Sequence, residues 1–413
     1  MKINYYSYIL VVLAGFFVLG SCRKEKIQPD QANTFIKYYG GNATNTAGSV
    51  DQTSDGGYIL IGTSNANGND KDIVVTKTDK YGNTLWTKII GGPGDDIGNF
   101  IHVTADGGYI IAASRAEPNS TTFTDADLIK MSSDGTIQFD STYGYSGKNE
   151  TAVRVISTID GGYISIGSTD SIKKTLLNPI SQIFLVKTIT TGQRSWTTKF
   201  GNGNESANKG TSVLQVNDST YLTSASTISN SDVEDILITQ GRYQTNGKNY
   251  QSNSNWYKTS FPGNTSLNTE LSSVINATDI IINPIGNYYV LGNTKTDVYL
   301  LNITSQTFTS FGTSAIDSAT AFTQTSDGGF IITGTTYNTT NQSLDILVIK
   351  TDVSGNVSWI KNYGGTGNDY GSYVKQTSDG GYIVSGTVQF GGNETGSNPV
   401  MALFKLNSNG DLE

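Results

Sequence analysis

The apolar positions of this chain lie in short runs that are separated by polar turns. In the first complete set, the runs predict strands over residues 49–52, 58–64, 72–78 and 84–90. The Ser54-Asp55-Gly56-Gly57 segment between the first two runs tolerates the positive φ of tight hairpins, so the second strand should fold back antiparallel on the first. No helical period separates the runs. Four antiparallel strands in about fifty residues are typical of one blade of a β-propeller.

The same pattern recurs to the C-terminus, and each copy is marked by an Asp-Gly-Gly-Tyr-like segment. Four further copies are clear and two are weaker; in chain order the markers begin at Asp55, Asp106, Asp160, Asp218, Ile285, Asp327 and Asp379. Their first residues lie 51, 54, 58, 67, 42 and 52 positions apart. A period near fifty predicts stacked supersecondary units.

Alignment on the markers gives two further regularities. Seven positions after each marker begins there is a small residue, as is expected where neighbouring blades approach closely: Gly62, Ala113, Gly167, Ala225, Gly292, Gly334 and Gly386. The predicted third strands are continuous apolar runs, which indicates burial on both faces. Most fourth strands carry an aromatic residue, which we interpret as core: Trp86, Phe139, Trp196, Trp256, Phe308 and Trp359.

The two ends of the chain predict how the repeats are completed. The seventh unit ends after its third strand, whereas residues 35–41 resemble the fourth strand and following loop at residues 359–365. The sequence therefore predicts an all-β, seven-bladed β-propeller of four-stranded antiparallel blades, closed by the N-terminal strand completing the last blade. Closure would remove open sheet edges.

Composition supports this fold and excludes some partners. The chain has 413 residues, 47 of them Gly, and only 15% of its residues are charged, which suits short strands joined by turns. The net charge is −8 and no basic stripe is present, so we do not expect the protein to bind nucleic acid.

The N-terminal segment predicts export and anchoring. Lys2 precedes an apolar stretch that is short for a membrane span, and the stretch ends at Leu19-Gly20-Ser21-Cys22. This ending resembles the lipobox of bacterial lipoproteins, which implies cleavage before Cys22 and acylation of that residue; an ordinary secretory signal with an incidental Cys is the alternative. We expect residues 1–21 to be the signal peptide, 22–33 a lipid-anchored tether and 34–413 a single propeller. Since Arg23 is not the Asp that retains lipoproteins in the inner membrane, the resemblance favours the outer membrane, on its periplasmic face or at the cell surface.

The repeats also resemble the Asp-Gly-Gly-Tyr propeller repeats of secreted proteins and lipoproteins of Gram-negative bacteria. The resemblance covers nearly all of residues 34–413. It implies an architecture but hardly an activity, because propellers serve binding, scaffolding and hydrolysis alike.

The loops that join successive units suggest a candidate site. They are Gly-rich and end in carboxylates at Asp96, Glu150, Glu205 and Asp369, which would surround the mouth of a central channel. Such a ring could bind a cation, an amine or a polyhydroxylated ligand. Alternatively, each carboxylate accepts hydrogen bonds from the backbone of its own turn or its neighbour's, and the repetition favours this second interpretation.

Other chemistry is sparse in the sequence. The chain contains one His, His102, and one Cys, so a metal site or a Ser-His-Asp triad has little support and no cofactor is expected. The turn at Asp79 is similar to the Asp-box of sialidase-like propellers, with a spacing one residue longer. The arginine cluster that would hold a sialic acid is not evident among Arg115, Arg154, Arg194 and Arg242.

These observations favour a monomeric, lipid-anchored envelope protein that binds a protein, peptide or glycan without catalysis. An enzyme is the less favoured interpretation, and we assign no catalytic residue. The alternative is a carbohydrate-active enzyme or lectin that uses the acidic channel mouth and loop aromatics such as Phe123 and Phe390. A pure envelope scaffold is a third possibility.

Overall fold

The computed structural model is an all-β propeller with four-stranded antiparallel blades. It describes residues 34–41, 43–68, 70–118, 120, 122–170, 181–201, 206–229, 234–243, 250–253, 274–391 and 398–412. One compact unit spans Thr34–Glu413. Across these described ranges, no helix is both long and apolar enough to cross a membrane.

Five sheets have four antiparallel strands each. The first joins β26 (Tyr370–Gln376), β27 (Tyr382–Val388), β28 (Val400–Leu406) and β1 (Phe35–Tyr39). The second contains β2 (Asn45–Gln52), β3 (Tyr58–Ser64), β4 (Asp72–Thr78) and β5 (Thr84–Ile90), and the third β6 (Ile97–Val103), β7 (Tyr109–Ala116), β8 (Thr124–Met131) and β9 (Ile137–Tyr143). The fourth contains β18 (Val274–Ile282), β19 (Tyr288–Thr294), β20 (Val298–Asn302) and β21 (Thr307–Phe311), and the fifth β22 (Asp317–Gln324), β23 (Phe330–Asn338), β24 (Ser343–Thr351) and β25 (Val357–Tyr363).

A sixth sheet has eight strands and corrects the expectation of seven separate sheets. It contains β10 (Arg154–Ser157), β11 (Tyr163–Asp170), β12 (Ser181–Thr188), β13 (Arg194–Phe200), β14 (Ser206–Asn217), β15 (Thr220–Ser229), β16 (Glu234–Tyr243) and β17 (Tyr250–Asn253). Two sequence units merge here because a parallel bridge between Ser181 and Ala207 connects β12 to β14. Over the described residues, the structure therefore has six blades rather than the predicted seven.

The predicted pairing of the chain ends is confirmed. Strand β1 pairs antiparallel with β28, with Phe35 opposite Lys405 and Tyr39 opposite Met401. The last sheet thus takes its fourth strand from the N-terminal part of the compact unit.

The second and third strands form the core, as their apolar runs indicate. All seven residues of β3, β4, β27 and β28 are buried. The outer strands β5 and β9 alternate between exposed and less exposed positions, because only one face packs against a neighbouring sheet.

The Asp-Gly-Gly marker forms its turn for reasons visible in the first unit. Asp55 Oδ1 accepts hydrogen bonds from Thr53 Oγ1 at 2.6 Å and from Gly57 N at 2.9 Å. Gly56 adopts a φ of +80°, which other residues rarely adopt. A Cβ atom at Gly57 would lie 2.2 Å from the Thr78 carbonyl oxygen, so this position requires glycine for close approach.

A lysine of the third strand completes each clear marker. In the first unit, Lys77 Nζ lies 2.8 Å from Asp55 Oδ2 and donates to the Thr78 carbonyl at 2.8 Å, while only 5% of its side chain is exposed. The equivalent pairs are Lys130–Asp106, Lys187–Asp160, Lys350–Asp327 and Lys405–Asp379. Burial works against ionisation of Asp55, but Lys77, Thr53 and Gly57 outweigh it and lower the pKa of this carboxyl to about 2. The marker is therefore a structural ion-pair motif.

The marker aromatic of one unit packs on the fourth-strand aromatic of the unit before it. Ring centroids are 5.8–6.3 Å apart in Trp86–Tyr109, Phe139–Tyr163, Trp196–Tyr221, Trp359–Tyr382 and Phe35–Tyr58. Four of these fourth-strand rings were predicted to be core; the fifth, Phe35, makes the same contact between the last sheet and the first.

Candidate functional site in the central cavity

A cavity of about 700 Å³ lies where the first strands of all seven sequence units meet. Its lining residues come mainly from β2, β6, β10, β14, β18, β22 and β26 and from the residues next to them. Hydroxyl groups dominate the wall, contributed by Thr46, Ser49, Thr63, Thr211, Thr278, Ser318, Thr320, Thr335 and Ser372. The size falls within the range of roughly 300–1,000 Å³ that is typical of small-molecule sites.

An irregularity in the first strands shapes this wall. In six of them the pairing register shifts at the residue seven positions before the marker: Gly48, Asn99, Thr211, Thr278, Thr320 and Ser372. A β-bulge locally bends a strand and re-aims its side chains. All six residues line the cavity, as does the equivalent Val153.

Small residues next to the bulges allow neighbouring units to join. The position before each bulge is Ala or Gly in every unit: Ala47, Gly98, Ala152, Gly210, Ala277, Ala319 and Gly371. Asn99, Thr320 and Ser372 each donate a side-chain hydrogen bond to the carbonyl of this small residue in the next unit, at 2.8–2.9 Å. For Ser372 the acceptor is Ala47, so the last unit is bonded to the first.

The side chains six positions before the markers break the repeat symmetry. In unit order they are Ser49, Phe100, Arg154, Ser212, Asp279, Ala321 and Tyr373. One position of the repeat thus carries a cation, a carboxylate and two aromatic rings. A structural repeat alone does not require this variety, so we identify this set as the candidate functional site.

Arg154 is the centre of the set. Its Nη1 lies 2.6 Å from Asp279 Oδ2, and its guanidinium carbon lies 4.9 Å from the ring centroid of Phe100 and 5.8 Å from that of Tyr373. The two rings contact each other edge-on at 5.4 Å. Aromatic faces attract a guanidinium, so the ion pair and the rings together fix its position.

The two members of the ion pair differ in accessibility. The Asp279 side chain is 0% exposed, whereas that of Arg154 is 14% exposed and lines the cavity. Burial by itself would lower the pKa of Arg154, but the Asp279 carboxylate and Tyr373 outweigh it and raise the pKa, so the guanidinium remains charged. Burial and the carboxylates of Asp279 and Asp51 raise the pKa of Tyr373 to about 12.

A second polar cluster lies two positions further along the same strands. Asp51 Oδ2 lies 3.0 Å from His102 Nδ1 and accepts from Val103 N at 3.1 Å, and Lys375 Nζ contacts Asp51 Oδ1. Burial would raise the pKa of Asp51, but His102 and Lys375 lower it below the usual range. None of these residues lines the cavity. His102, the single His of the chain, is therefore held by a carboxylate.

Three of the four loop carboxylates named from the sequence lie among the described residues. Asp96, Glu150 and Asp369 are 0–1% exposed, and none lines the central cavity. Asp96 accepts from Gly92 N and Ala116 N, and Asp369 accepts from Gly365 N and Gln389 N, at 2.8–2.9 Å. Glu150 accepts from Tyr145 N at 3.2 Å and from the Thr169 hydroxyl.

Each carboxylate thus accepts one hydrogen bond from its own loop and one from a neighbouring segment, as in the structural alternative. Burial raises the pKa of all three, and the backbone donors partly offset it. The fourth predicted residue, Glu205, and the lipidation residue Cys22 lie outside the described residues.

A separate cleft of about 430 Å³ lies beside β1, where Tyr38 and Phe390 contact each other with ring centroids 4.9 Å apart. Both rings remain about half exposed, at 48% and 47%. Phe390 was one of the two loop aromatics that the sequence suggested for sugar stacking. Over the described part of the chain, no group of three or more His, Cys, Asp or Glu side chains is arranged to hold a metal ion.

The sequence alone does not indicate that Arg154 pairs with Asp279 or that His102 pairs with Asp51. A usable signal was present, because alignment on the markers shows the change from small residues to charged and aromatic ones six positions upstream. What the sequence lacked was the direction in which that position points.

Comparisons with known proteins identify no family for this chain. No protein-family model matches it, and no curated protein matches it. Among solved structures, it is similar to YCF48 from Cyanidioschyzon merolae, with 9% identity, coverage of 89% of this chain and 98% of the other, and a TM-score of 0.48. Virginiamycin B lyase from Staphylococcus aureus gives 9% identity, coverage of 90% and 99%, and a TM-score of 0.48. A protein of unknown function from Bacteroides caccae gives 11% identity, coverage of 78% and 94%, and a TM-score of 0.39.

Proposed function

We propose that this protein is a lipid-anchored envelope β-propeller that binds a small polar ligand, or the end of a larger one, in its central cavity without catalysing a reaction. The observation that carries the proposal is the asymmetric set of Phe100, Arg154 and Tyr373 on an otherwise repetitive, hydroxyl-rich wall. Binding sites combine a preformed cavity with a few fixed polar groups, and this cavity has both.

The cavity itself favours binding over glycoside hydrolysis. Hydrolysis of a glycosidic bond commonly uses two carboxyl groups about 5–9 Å apart that flank the bond. The described residues that line the cavity include Arg154 as their one charged side chain and no carboxylate. The nearest acid to the guanidinium, Asp279, is fully buried in the ion pair.

We also infer that the blades form a closed ring around this cavity. Three kinds of contact between the last unit and the first support this inference. Strand β1 completes the sheet of β26–β28, the ring of Phe35 packs on Tyr58, and Ser372 donates to the Ala47 carbonyl.

The binding proposal is tested by filling the cavity. The full chain is screened against peptide and glycan arrays, and ligands found there are titrated by calorimetry against the wild type, Thr278→Trp and, as a matched control on an outer strand, Thr84→Trp. We expect Thr278→Trp to abolish binding, because a bulky ring occupies the wall, and Thr84→Trp to retain it. Equal binding by all three proteins would place the site elsewhere and refute the proposal.

The half-exposed pair Tyr38 and Phe390 favours one alternative, a lectin that uses the outer cleft. Exposed aromatic rings can stack on sugar rings. In the same titrations, loss of glycan binding in Phe390→Ala but not in Thr278→Trp would select this alternative.

The anchoring part of the proposal rests on the lipobox-like segment that ends at Cys22. Metabolic labelling with a fatty-acid analogue should label the wild type and not Cys22→Ser. We expect the labelled protein in the outer-membrane fraction, and protease treatment of intact cells distinguishes its periplasmic face from the cell surface. Equal labelling of both proteins would contradict lipidation at Cys22.

A further inference from the structure

We infer that the ligand of the central cavity is an acidic sugar, bound with its carboxylate at Arg154. The inference rests on the proposed cavity function and adds to it the chemical class of the ligand.

The charge distribution of the cavity is the first argument. The whole chain carries a net charge of −8, yet Arg154 is the one charged residue among the described lining residues. Its counter-ion is withdrawn from the cavity, since the Asp279 side chain is 0% exposed while that of Arg154 is 14% exposed. An anionic group that enters therefore meets the cation first.

The hydrogen-bonding state of Arg154 is the second argument. A guanidinium has five N–H donors in a fixed fork, which suits a carboxylate better than a point charge does. Nη1 contacts Asp279, and Nε is buried with no hydrogen-bond acceptor among the described residues, so these contacts leave part of the donor set of the guanidinium unused. The stacking on Phe100 and Tyr373 holds the group in place before a ligand arrives, so little ordering is required on binding.

The remaining wall indicates a sugar rather than a peptide. Its side chains are mostly Thr and Ser hydroxyls together with the Asn99 amide. Asn99, Thr320 and Ser372 donate within the wall, but their oxygen atoms can still accept hydrogen bonds from the hydroxyl groups of a sugar. Tyr370 also lines the cavity, and its ring is 43% exposed and available to stack on an apolar sugar face. The apolar subsites that a peptide side chain would need are small here, since the aliphatic lining residues are Ala47, Ile97, Val153 and Ala321.

The test uses matched pairs of ligands. Glucuronate and galacturonate, and short oligomers that end in them, are titrated into the full chain alongside glucose, galactose and acetate. A short peptide with a free C-terminal carboxylate is titrated as well, because a peptide is the other source of a carboxylate. We expect the uronates to bind and their neutral counterparts to bind about tenfold more weakly or worse, since a hydrogen bond to a charged group is lost. Acetate alone should bind weakly, because it lacks the contacts to the wall.

The variants separate the charge from the fold. Arg154→Lys keeps the cation that Asp279 requires and should weaken uronate binding about tenfold or more, towards the affinity of the neutral sugars. Tyr370→Ala, at an exposed ring, should weaken both, and Lys80→Met, which removes a surface cation on a turn, should change neither. Circular dichroism and thermal melts confirm that each variant is folded.

The outcomes distinguish this inference from the proposed function. Three results would each refute the acidic-sugar inference: neutral sugars that bind as tightly as uronates, uronate binding that Arg154→Lys does not change, or selective binding of the peptide carboxylate. The cavity function would still stand if Thr278→Trp abolished the binding of whichever ligand was found. If Thr278→Trp changed the binding of no ligand, both the acidic-sugar inference and the proposed cavity function would be refuted.

Discussion

Removing the charge of Arg154 should destabilise the protein. In Arg154→Met the apolar stem is largely kept, but Asp279, which is 0% exposed, loses the cation 2.6 Å away. Breaking a buried ion pair by removing one partner typically costs about 3–5 kcal/mol. We count the lost contacts with Phe100 and Tyr373 within this range, since cation–π interactions contribute about 0.5–2 kcal/mol.

The magnitude can be converted into a thermal shift. An unfolding entropy of about 2.1 cal/mol/K per residue over the roughly 380 residues of the compact unit is about 0.8 kcal/mol/K. A loss of about 3–5 kcal/mol then lowers the melting temperature by about 4–6 °C. Differential scanning calorimetry at pH 7 resolves a shift of this size.

A double variant separates electrostatics from packing. Arg154→Met leaves the Asp279 carboxylate buried without its cation, and this uncompensated charge is the costly part of a broken pair. The double variant Arg154→Met/Asp279→Leu removes both charges and should recover most of the lost stability. A double variant no more stable than the single one would refute the reasoning.

Three further predictions concern the repeat and the chain ends. Asp55→Ala should lower the free energy of unfolding by about 1–2 kcal/mol, because Lys77 stays buried without its carboxylate; this range is discounted for the 58% exposure of Asp55. Urea denaturation measures the loss, and the exposed Asp134→Ala serves as the control. Lys375→Met should move the acid-unfolding midpoint to higher pH. Because the pKa of Asp51 is lowered in the fold, Asp51 contributes stability above the unfolded pKa of about 3.9, and this stability is lost as the pH falls. Removing Lys375 raises the pKa of Asp51 again, so the loss begins at a higher pH. An unchanged midpoint would contradict that role. Phe35→Ala should cost about 2 kcal/mol of unfolding free energy by removing a partly buried ring between the last sheet and the first, whereas Phe390→Ala should stay within about 0.5 kcal/mol; equal effects would argue against a structural role for Phe35.

The chain itself determined the architecture wherever local rules repeat. The positive φ of Gly56, the close approach at Gly57 and the continuous apolar third strands each follow from nearby residues, so the periodic pattern predicted the antiparallel blades. Even the pairing of β1 with β28 could be inferred, because a missing fourth strand at one end matches an extra strand at the other. The sequence did not show the bridge between Ser181 and Ala207 that merges two units into one eight-stranded sheet, since a single backbone contact leaves no side-chain pattern.

Only the tertiary structure decided which polar residues face the cavity and which serve their own loops. For Asp96, Glu150 and Asp369 the sequence left a binding ring and a structural role open, and in the structure each is buried and accepts hydrogen bonds from nearby donors. Arg154 and Asp279 are 125 positions apart in the chain, and they meet because β10 and β18 bring the same position of the repeat to one axis. Local propensity and periodicity act over a few residues and so can be derived from the chain, whereas the direction of a side chain at a bulge and its partner across a cavity depend on how the sheets pack around the centre.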